Sequence, residues 1–237
     1  MQVVASALPF LPPAGAQIGS TPAMTDTFNL HRAAHELFDS RGLRFDALTR
    51  TWIPDTSGAA RADGETVDMI GAVTWLQHGS SNPLREPIGV IGPRDATPAQ
   101  QQVASRLGER LADCGFVVLC GGRGGVMQAV CEGVARVGGT SIAMIPDADP
   151  TLANPFASIV IATGLGEARN AVIARASFCL ITIGDSYGTL SEVALGRQFH
   201  KLVIGMEGAT ELDGVVHVNG TQAAVERVAE AALGIKR

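Results

Sequence analysis

Three stretches of this chain place glycines between a short apolar run and a helical pattern, the arrangement that suits an anion. They are Gly92-Pro93-Arg94-Asp95-Ala96-Thr97, Gly121-Gly122-Arg123-Gly124-Gly125-Val126-Met127 and Gly184-Asp185-Ser186-Tyr187-Gly188-Thr189-Leu190-Ser191-Glu192. Glycine lets backbone N–H groups close on an anion, and the N-terminus of the following helix favours negative charge. One such loop is what any tight strand-to-helix turn requires; three in one sheet point to phosphate. A lysine-bearing P-loop is excluded, because no Gly-Lys-Ser or Gly-Lys-Thr occurs. The dinucleotide pattern is also incomplete. Gly122-x-Gly124 is followed by Met127 where a third glycine belongs, and no acidic residue closes the next strand to hold a ribose. A mononucleotide or similar small phosphorylated ligand fits better than NAD.

The elements that must carry these loops follow from hydrophobic periodicity. Apolar runs at residues 88–92, 116–120, 140–145, 158–162, 178–183 and 202–205 read as strands. Helices are expected at 97–114, 126–137, 167–177, 189–199 and 221–233. Near-continuous apolar strands alternating with helices predict a doubly wound parallel α/β sheet, Rossmann-like, whose ligands bind at the carboxyl ends of the strands.

The organisation predicted is an uncharged, proline-bearing tail over residues 1–23, a small α+β extension over 24–87, and the Rossmann-like domain over 88–237. The tail lacks the basic start of a secretory signal, and Met24 begins a more ordinary protein sequence. In the extension, Thr25 or Asp26 is expected to cap a helix over residues 30–40, with Leu30, Ala33, Ala34, Leu37 and Phe38 on one face. Residues 43–48 and 51–53 read as strands, 55–63 as a loop, and 78–87 as a linker. His31 and His35 share a helix face at a spacing that could grip a metal, but no acidic or cysteine partner follows, so no metal site is expected.

With 237 residues, 46% of them hydrophobic and 17% charged, disorder of the whole chain is excluded. A net charge of −5 gives no field for a dedicated nucleic-acid binder. No apolar run approaches a membrane span. Cys114, Cys120, Cys131 and Cys179 match no zinc spacing and read as buried free thiols of a cytoplasmic protein.

The second and third glycine stretches, with Thr163-Gly164-Leu165-Gly166-Glu167-Ala168-Arg169-Asn170, carry a resemblance. Together they resemble the motifs of the LOG (lonely guy) superfamily, over residues 88–233. It contains cytokinin-activating phosphoribohydrolases and proteins carrying a lysine decarboxylase label. The Gly-Leu-Gly-x-Ala-Arg-Asn form is more similar to a branch that includes molybdenum cofactor carrier proteins. The resemblance implies hydrolysis of the N-glycosidic bond of a nucleoside 5′-monophosphate, with Arg169 and Glu192 as catalytic residues. A carboxylate there would stabilise oxocarbenium character or orient water, and Arg169 would hold phosphate with its fork geometry. Asn170 joins Gly92, Arg94, Gly121, Gly122, Arg123, Gly124, Gly125, Met127, Gly184, Gly188 and Thr189 as candidate binding residues.

The third stretch departs from the family pattern, since Asp185 and Ser186 replace two glycines. An acid at an anion loop repels phosphate unless it turns away or pairs with Arg94, Arg123 or Arg169. Decarboxylation is disfavoured by lysine supply: Lys201 falls at the wrong end of a strand and Lys236 is penultimate, so neither suits a pyridoxal aldimine. No resident cofactor is expected. Two readings stay open, a phosphoribohydrolase and a non-catalytic carrier of a phosphorylated pterin or nucleotide. A third takes residues 24–87 as a partner-docking module. A homodimer or larger even oligomer is expected from surplus apolar residues on the helices after the second and third loops, among them Val126, Val130, Gly133 and Val193.

Overall fold

The structure is a computed structural model describing residues 27–56 and 64–235. Seven parallel strands form its main sheet: β6 (Ile88–Ile91), β7 (Val118–Cys120), β8 (Ser141–Ile145), β9 (Ile159–Ala162), β10 (Leu180–Ile183), β11 (Val203–Met206) and β12 (Val215–His217). Their order across the sheet is β12-β11-β10-β6-β7-β8-β9. Strand order therefore reverses between β6 and β10, which makes their carboxyl ends the switch point of a doubly wound fold. Strand β12 was not anticipated from sequence; it is three residues long and only half-buried, which leaves little periodicity to read.

Helices cover both faces. On one lie α2 (Pro98–Asp113), α3 (Val126–Arg136) and α6 (Gly220–Ala232), packing Leu107, Leu111, Val130 and Val228 into the larger core. On the other lie α4 (Arg169–Ala176) and α5 (Tyr187–Gln198), with Ile173 and Val193 against Leu180 and Val203. Helix α2 starts on a full capping box: the Thr97 hydroxyl accepts from Gln100 N, and the Gln100 side chain accepts from Thr97 N.

The remaining five strands form an antiparallel sheet in the order β4-β3-β2-β1-β5, comprising β1 (Phe28–His31), β2 (Glu36–Phe38), β3 (Leu43–Asp46), β4 (Thr51–Pro54) and β5 (Glu65–Val67). Helix α1 (Met69–His78), capped by Asp68, joins it to the main sheet. Phe28, Leu30, Phe45 and Trp75 belong to the same apolar core as Val225 and Val228 of α6. Trp52 Nε1 also donates to Leu233 O at 2.8 Å.

The helix expected over residues 30–40 is corrected to the hairpin β1–β2, in which Leu30 pairs with Leu37. Leu30 and Leu37 are buried, as the helical reading required, but Ala33 and Ala34 lie exposed on a single 3-10 turn. His35, at φ 55°, is left-handed and ends that turn. Its proposed caps, Thr25 and Asp26, lie outside the described residues. His35 Nδ1 sits 2.7 Å from Gly79 O, while His31 packs edge-on against Phe38, so the two imidazoles are engaged separately.

The surplus of apolar residues on α3 is also corrected. Val126, Val130, Gly133 and Val134 are buried within the chain itself, and Gly133 lies so close to α2 that a Cβ would meet Ser105 O at 1.9 Å. On α5, Val193 is likewise buried. On the same helix Tyr187 is 95% exposed, Ala194 is exposed and Leu195 is half-buried, so the reassignment to the chain's own core applies to α3 and not to the whole of α5. All four cysteines are buried free thiols. Among the described residues no helix is long and apolar enough to cross a membrane.

Candidate functional site

All three glycine stretches leave adjacent strands, β10, β6 and β7, at their carboxyl ends. The helices they enter diverge, α2 and α3 to one face and α5 to the other, and an open cleft lies between them. Gly92, Arg94, Gly121, Arg123, Met127, Arg169, Asn170, Gly188, Thr189 and Glu192 line it, together with Ile91, Glu167 and Ser186. Gly122, Gly124, Gly125 and Gly184 shape the loops instead of forming the cleft wall.

Local physics sets each loop. Gly125 has φ +65°, and a Cβ there would meet Arg94 O at 2.2 Å, so only glycine lets the second loop touch the first. Val126 N then donates to Pro93 O at 3.2 Å. Helix α3 has no side-chain cap, which leaves its first turn open to an anion. Gly122 O accepts from Asn154 N at 2.8 Å and from Asn154 Nδ2 at 3.1 Å, tying the second loop to the segment after β8. Gly124 faces a neighbouring hollow with Arg94, Arg123, Gln128 and Asn154.

Gly121 has a different task. A Cβ on it would lie 2.6 Å from Arg169 Nη2 and 2.7 Å from Met127 Sδ. The missing side chain is what lets the Arg169 guanidinium lie against the end of β7. Arg169 begins α4 after a single 3-10 turn over Gly166–Ala168, and it is 5% exposed. Its Nη1 stands 3.4 Å from Glu192 Oε1. Glu192 lies in the second turn of α5 and is 6% exposed. Burial pushes its carboxyl up to about 7, Arg169 pulls in the opposite direction, and the negative charge of Glu167 adds to the rise.

Several polar atoms here lack protein partners. Among the described residues, Arg169 Nε, Arg123 Nε and Asn170 Oδ1 are buried without a hydrogen bond. Asn170 Nδ2 donates to Ser191 Oγ at 2.9 Å, which turns the other end of its amide free. Arg123 Nη2 donates to Asp147 Oδ2 at 2.5 Å, so its charge is shared, while Arg94 is exposed on the rim.

The substituted third loop turns its acid away. Asp185 is exposed and lies outside the cleft wall. Ser186 is the N-cap of α5: its hydroxyl accepts from Thr189 N at 3.1 Å. Ser186 thus caps α5 while lining the cleft, and Asp185 stands clear of it. Glu167 and Asn154 were not among the sequence candidates. Glu167 stood inside the Thr163–Asn170 motif, two residues from Arg169, which was the available signal. Nothing in the spacing of Asn154 marks it.

Class and family follow from this arrangement. A doubly wound sheet with glycine loops at its switch point and a buried Arg–Glu pair between them defines a Rossmann-like, LOG-type chain. The sequence profile of the SLOG cluster4 family matches residues 85–232, more than half the chain, and the chain belongs to that family. It is 39% identical over 128 residues to an uncharacterised protein of Archaeoglobus fulgidus, covering 54% of this chain and 84% of that one. Among solved structures, the molybdenum cofactor binding protein of the phototrophic bacterium Rippkaea orientalis superposes with a TM-score of 0.59 at 33% identity, covering 62% of this chain and 98% of its own. The molybdenum cofactor carrier protein of Chlamydomonas reinhardtii gives 0.57 at 32% identity, covering 63% and 99%.

Proposed function

We propose that the cleft binds a small phosphorylated ligand, a nucleoside 5′-monophosphate or a pterin-type phosphate, and that Arg169 and Glu192 act on it. The observation that carries this reading is the convergence of three glycine loops from adjacent strands on one cleft holding a buried Arg169 with an unpartnered Nε. A buried unsatisfied donor costs about 1–3 kcal/mol, a penalty that an anionic ligand oxygen would relieve.

With a nucleoside monophosphate bound, the Glu192 carboxyl is suited to proton transfer. A group titrating near neutrality can give a proton to the departing base and take one back from the attacking water. Glycosidic C–N cleavage then yields free base and ribose 5-phosphate, with the water oxygen ending on the sugar carbon. Arg169 would fix the phosphate or the carboxylate, and the exposed Asp185 leaves both unobstructed.

A second reading is favoured by the two molybdenum cofactor proteins, which match nearly their whole length at about one-third identity. On that reading the chain carries a pterin-type phosphate without turnover. Incubation with a panel of nucleoside monophosphates, with chromatography for released base and calorimetry for binding, separates the two. Released base supports hydrolysis; binding without release supports the carrier. Absence of binding by any monophosphate, and by a pterin phosphate, overturns both.

A further inference from the structure

We propose that Cys120 and Cys131 form a reversible disulfide beneath the second glycine loop, and that closing it loosens the cleft. Cys120 is the last residue of β7 and Cys131 lies in the second turn of α3, so the two flank that loop in sequence. Both are buried in the core shared by this strand and helix, with their Sγ atoms 3.5 Å apart. Reaching a disulfide bond length of about 2.05 Å takes a shift of roughly 1.5 Å, shared between strand and helix. The two thiols are also unlike in acidity. Hydrogen bonding to Cys120 outweighs burial at Cys131 and, with Ser141 and Asn154, brings that thiol down to about 7. Cys120 is raised well above the ordinary thiol value, first by its bond to Cys131 and then by burial. Cys131 is therefore the nucleophile and Cys120 the proton-bearing partner. Burial pushes the remaining thiols, Cys114 and Cys179, upward, the latter to about 12.

The oxidant that fits is a peroxide. Both cysteines are fully buried, which shuts out bulky disulfides, whereas hydrogen peroxide is little larger than water. Asn154 Nδ2 donates to Cys131 Sγ at 3.6 Å, and Asn154 lines the hollow at the start of α3, so Cys131 lies one side chain below an open surface. The Cys131 thiolate attacks one peroxide oxygen, giving a sulfenic acid and hydroxide. The Cys120 sulfur then attacks the sulfenic sulfur, and its proton leaves with the departing hydroxide as water. In sum, two thiols give up two electrons and two protons, and one peroxide becomes two waters.

Two contacts tie these sulfurs to the cleft. Cys120 Sγ lies 3.6 Å from Met127 O, which accepts from the thiol, and Met127 lines the cleft. Asn154 Nδ2 donates both to Cys131 Sγ and to Gly122 O. The disulfide abolishes the first bond, because Cys120 loses its proton, and movement of Cys131 disturbs the second. Gly121, next to Cys120, is where the Arg169 guanidinium rests, so a displacement at the end of β7 reaches that residue too. The effect on binding rests on the proposed function; the cross-link itself does not.

Peptide mapping and calorimetry of the full chain test this. The reduced protein, freed of reductant, is exposed to hydrogen peroxide, alkylated under denaturing conditions and digested with trypsin. Cleavage after Arg110, Arg123 and Arg136 puts Cys120 on peptide 111–123 and Cys131 on peptide 124–136, and fragmentation tells Cys120 from Cys114. The two peptides are expected as one linked species, two hydrogens lighter than their sum and separated again by dithiothreitol. Affinity for inorganic phosphate and for AMP should be about fivefold lower in the oxidised chain, the scale of one lost hydrogen bond. Cys120→Ser and Cys131→Ser should each lose the cross-link and the response to peroxide, with alanine in place of serine where circular dichroism shows a variant unfolded. Cys179→Ala should keep both. A treated wild type whose two thiols stay free, or carry sulfinic acid without linking, overturns the proposal. So does a linked chain that binds both probes as tightly as the reduced one. A reduced chain that binds neither probe overturns the cleft reading and the switch with it, while the linked peptide still decides the disulfide.

Discussion

Arg169 Nη1 and Glu192 Oε1 stand 3.4 Å apart between α4 and α5, with the two side chains only 7% and 8% exposed. The contact is long for a charge-assisted bond, and Arg169 Nε has no partner. Two buried charges held so loosely are an expensive way to join two helices. They are better suited to a site in which a third, anionic group completes the arrangement.

The pair makes stability depend on pH. The Glu192 carboxyl, ordinarily at 4.5, is raised by burial to about 7 in the folded chain. Between these values the folded chain holds a proton that the unfolded chain has released, so stability falls as pH rises through the window. The loss is complete above the folded value and amounts to at most about 3 kcal/mol. Denaturant melts from about pH 5 to about pH 8 should show this decline in wild type and a flatter profile in Glu192→Gln. Parallel profiles would place the Glu192 titration elsewhere.

Glu192→Gln also separates binding from chemistry. The amide keeps the size of the side chain but cannot exchange a proton at the glycosidic bond. On the hydrolase reading, monophosphate affinity should be preserved while base release falls roughly 100- to 10,000-fold; on the carrier reading, affinity alone is measured and is unchanged. Calorimetry and single-turnover chromatography read the two quantities independently.

Arg169→Ala should lose affinity as well. A charge-assisted contact to phosphate contributes about 1.5–3 kcal/mol, a drop of roughly 10- to 100-fold in affinity. Removing the cation also removes the one influence holding the Glu192 carboxyl down, so its titration should move further up. Infrared titration of the carboxyl in the two proteins checks the direction.

The sheet and its loops were legible in the sequence because buried parallel strands write themselves as uninterrupted apolar runs, as in residues 180–183, and the glycines fall at their ends. The region before residue 88 was less so. Leu30, Ala33, Ala34 and Leu37 carry a helical period by coincidence; the pairing that overrides it, Leu30 with Leu37 across a hairpin, is a tertiary fact. The Arg–Glu pair came from motif resemblance, not from spacing. Its burial and the elevated carboxyl depend on α4 and α5 meeting across the cleft. Of the alternatives open for Asp185, the structure takes the one in which the acid turns away: with Ser186 as N-cap of α5, Asp185 is exposed and outside the wall.

That geometry distinguishes two neighbouring substitutions. Ser186→Ala removes the acceptor for Thr189 N and should lower stability by about 0.5–2 kcal/mol. Asp185→Gly touches neither the cap nor the cleft wall, so monophosphate affinity should stay within about twofold of wild type at physiological ionic strength. A large gain in affinity from Asp185→Gly would show that its charge does reach the phosphate.

Gly188 gives the most direct test of where the phosphate sits. It occupies the first turn of α5 and lines the cleft, yet the nearest atom a Cβ would meet is Ser186 Oγ at 3.9 Å. No packing in the protein requires glycine there. In a helix, alanine is favoured over glycine by about 0.5–1 kcal/mol. Gly188→Ala should therefore raise the melting temperature. The same methyl would stand in the approach of an anion to the first-turn N–H groups, so phosphate and monophosphate affinity should fall by about tenfold or more. A more stable protein that binds less is the signature of a glycine kept for its ligand. Unchanged affinity in the stabilised variant would move the phosphate from α5 to the uncapped start of α3.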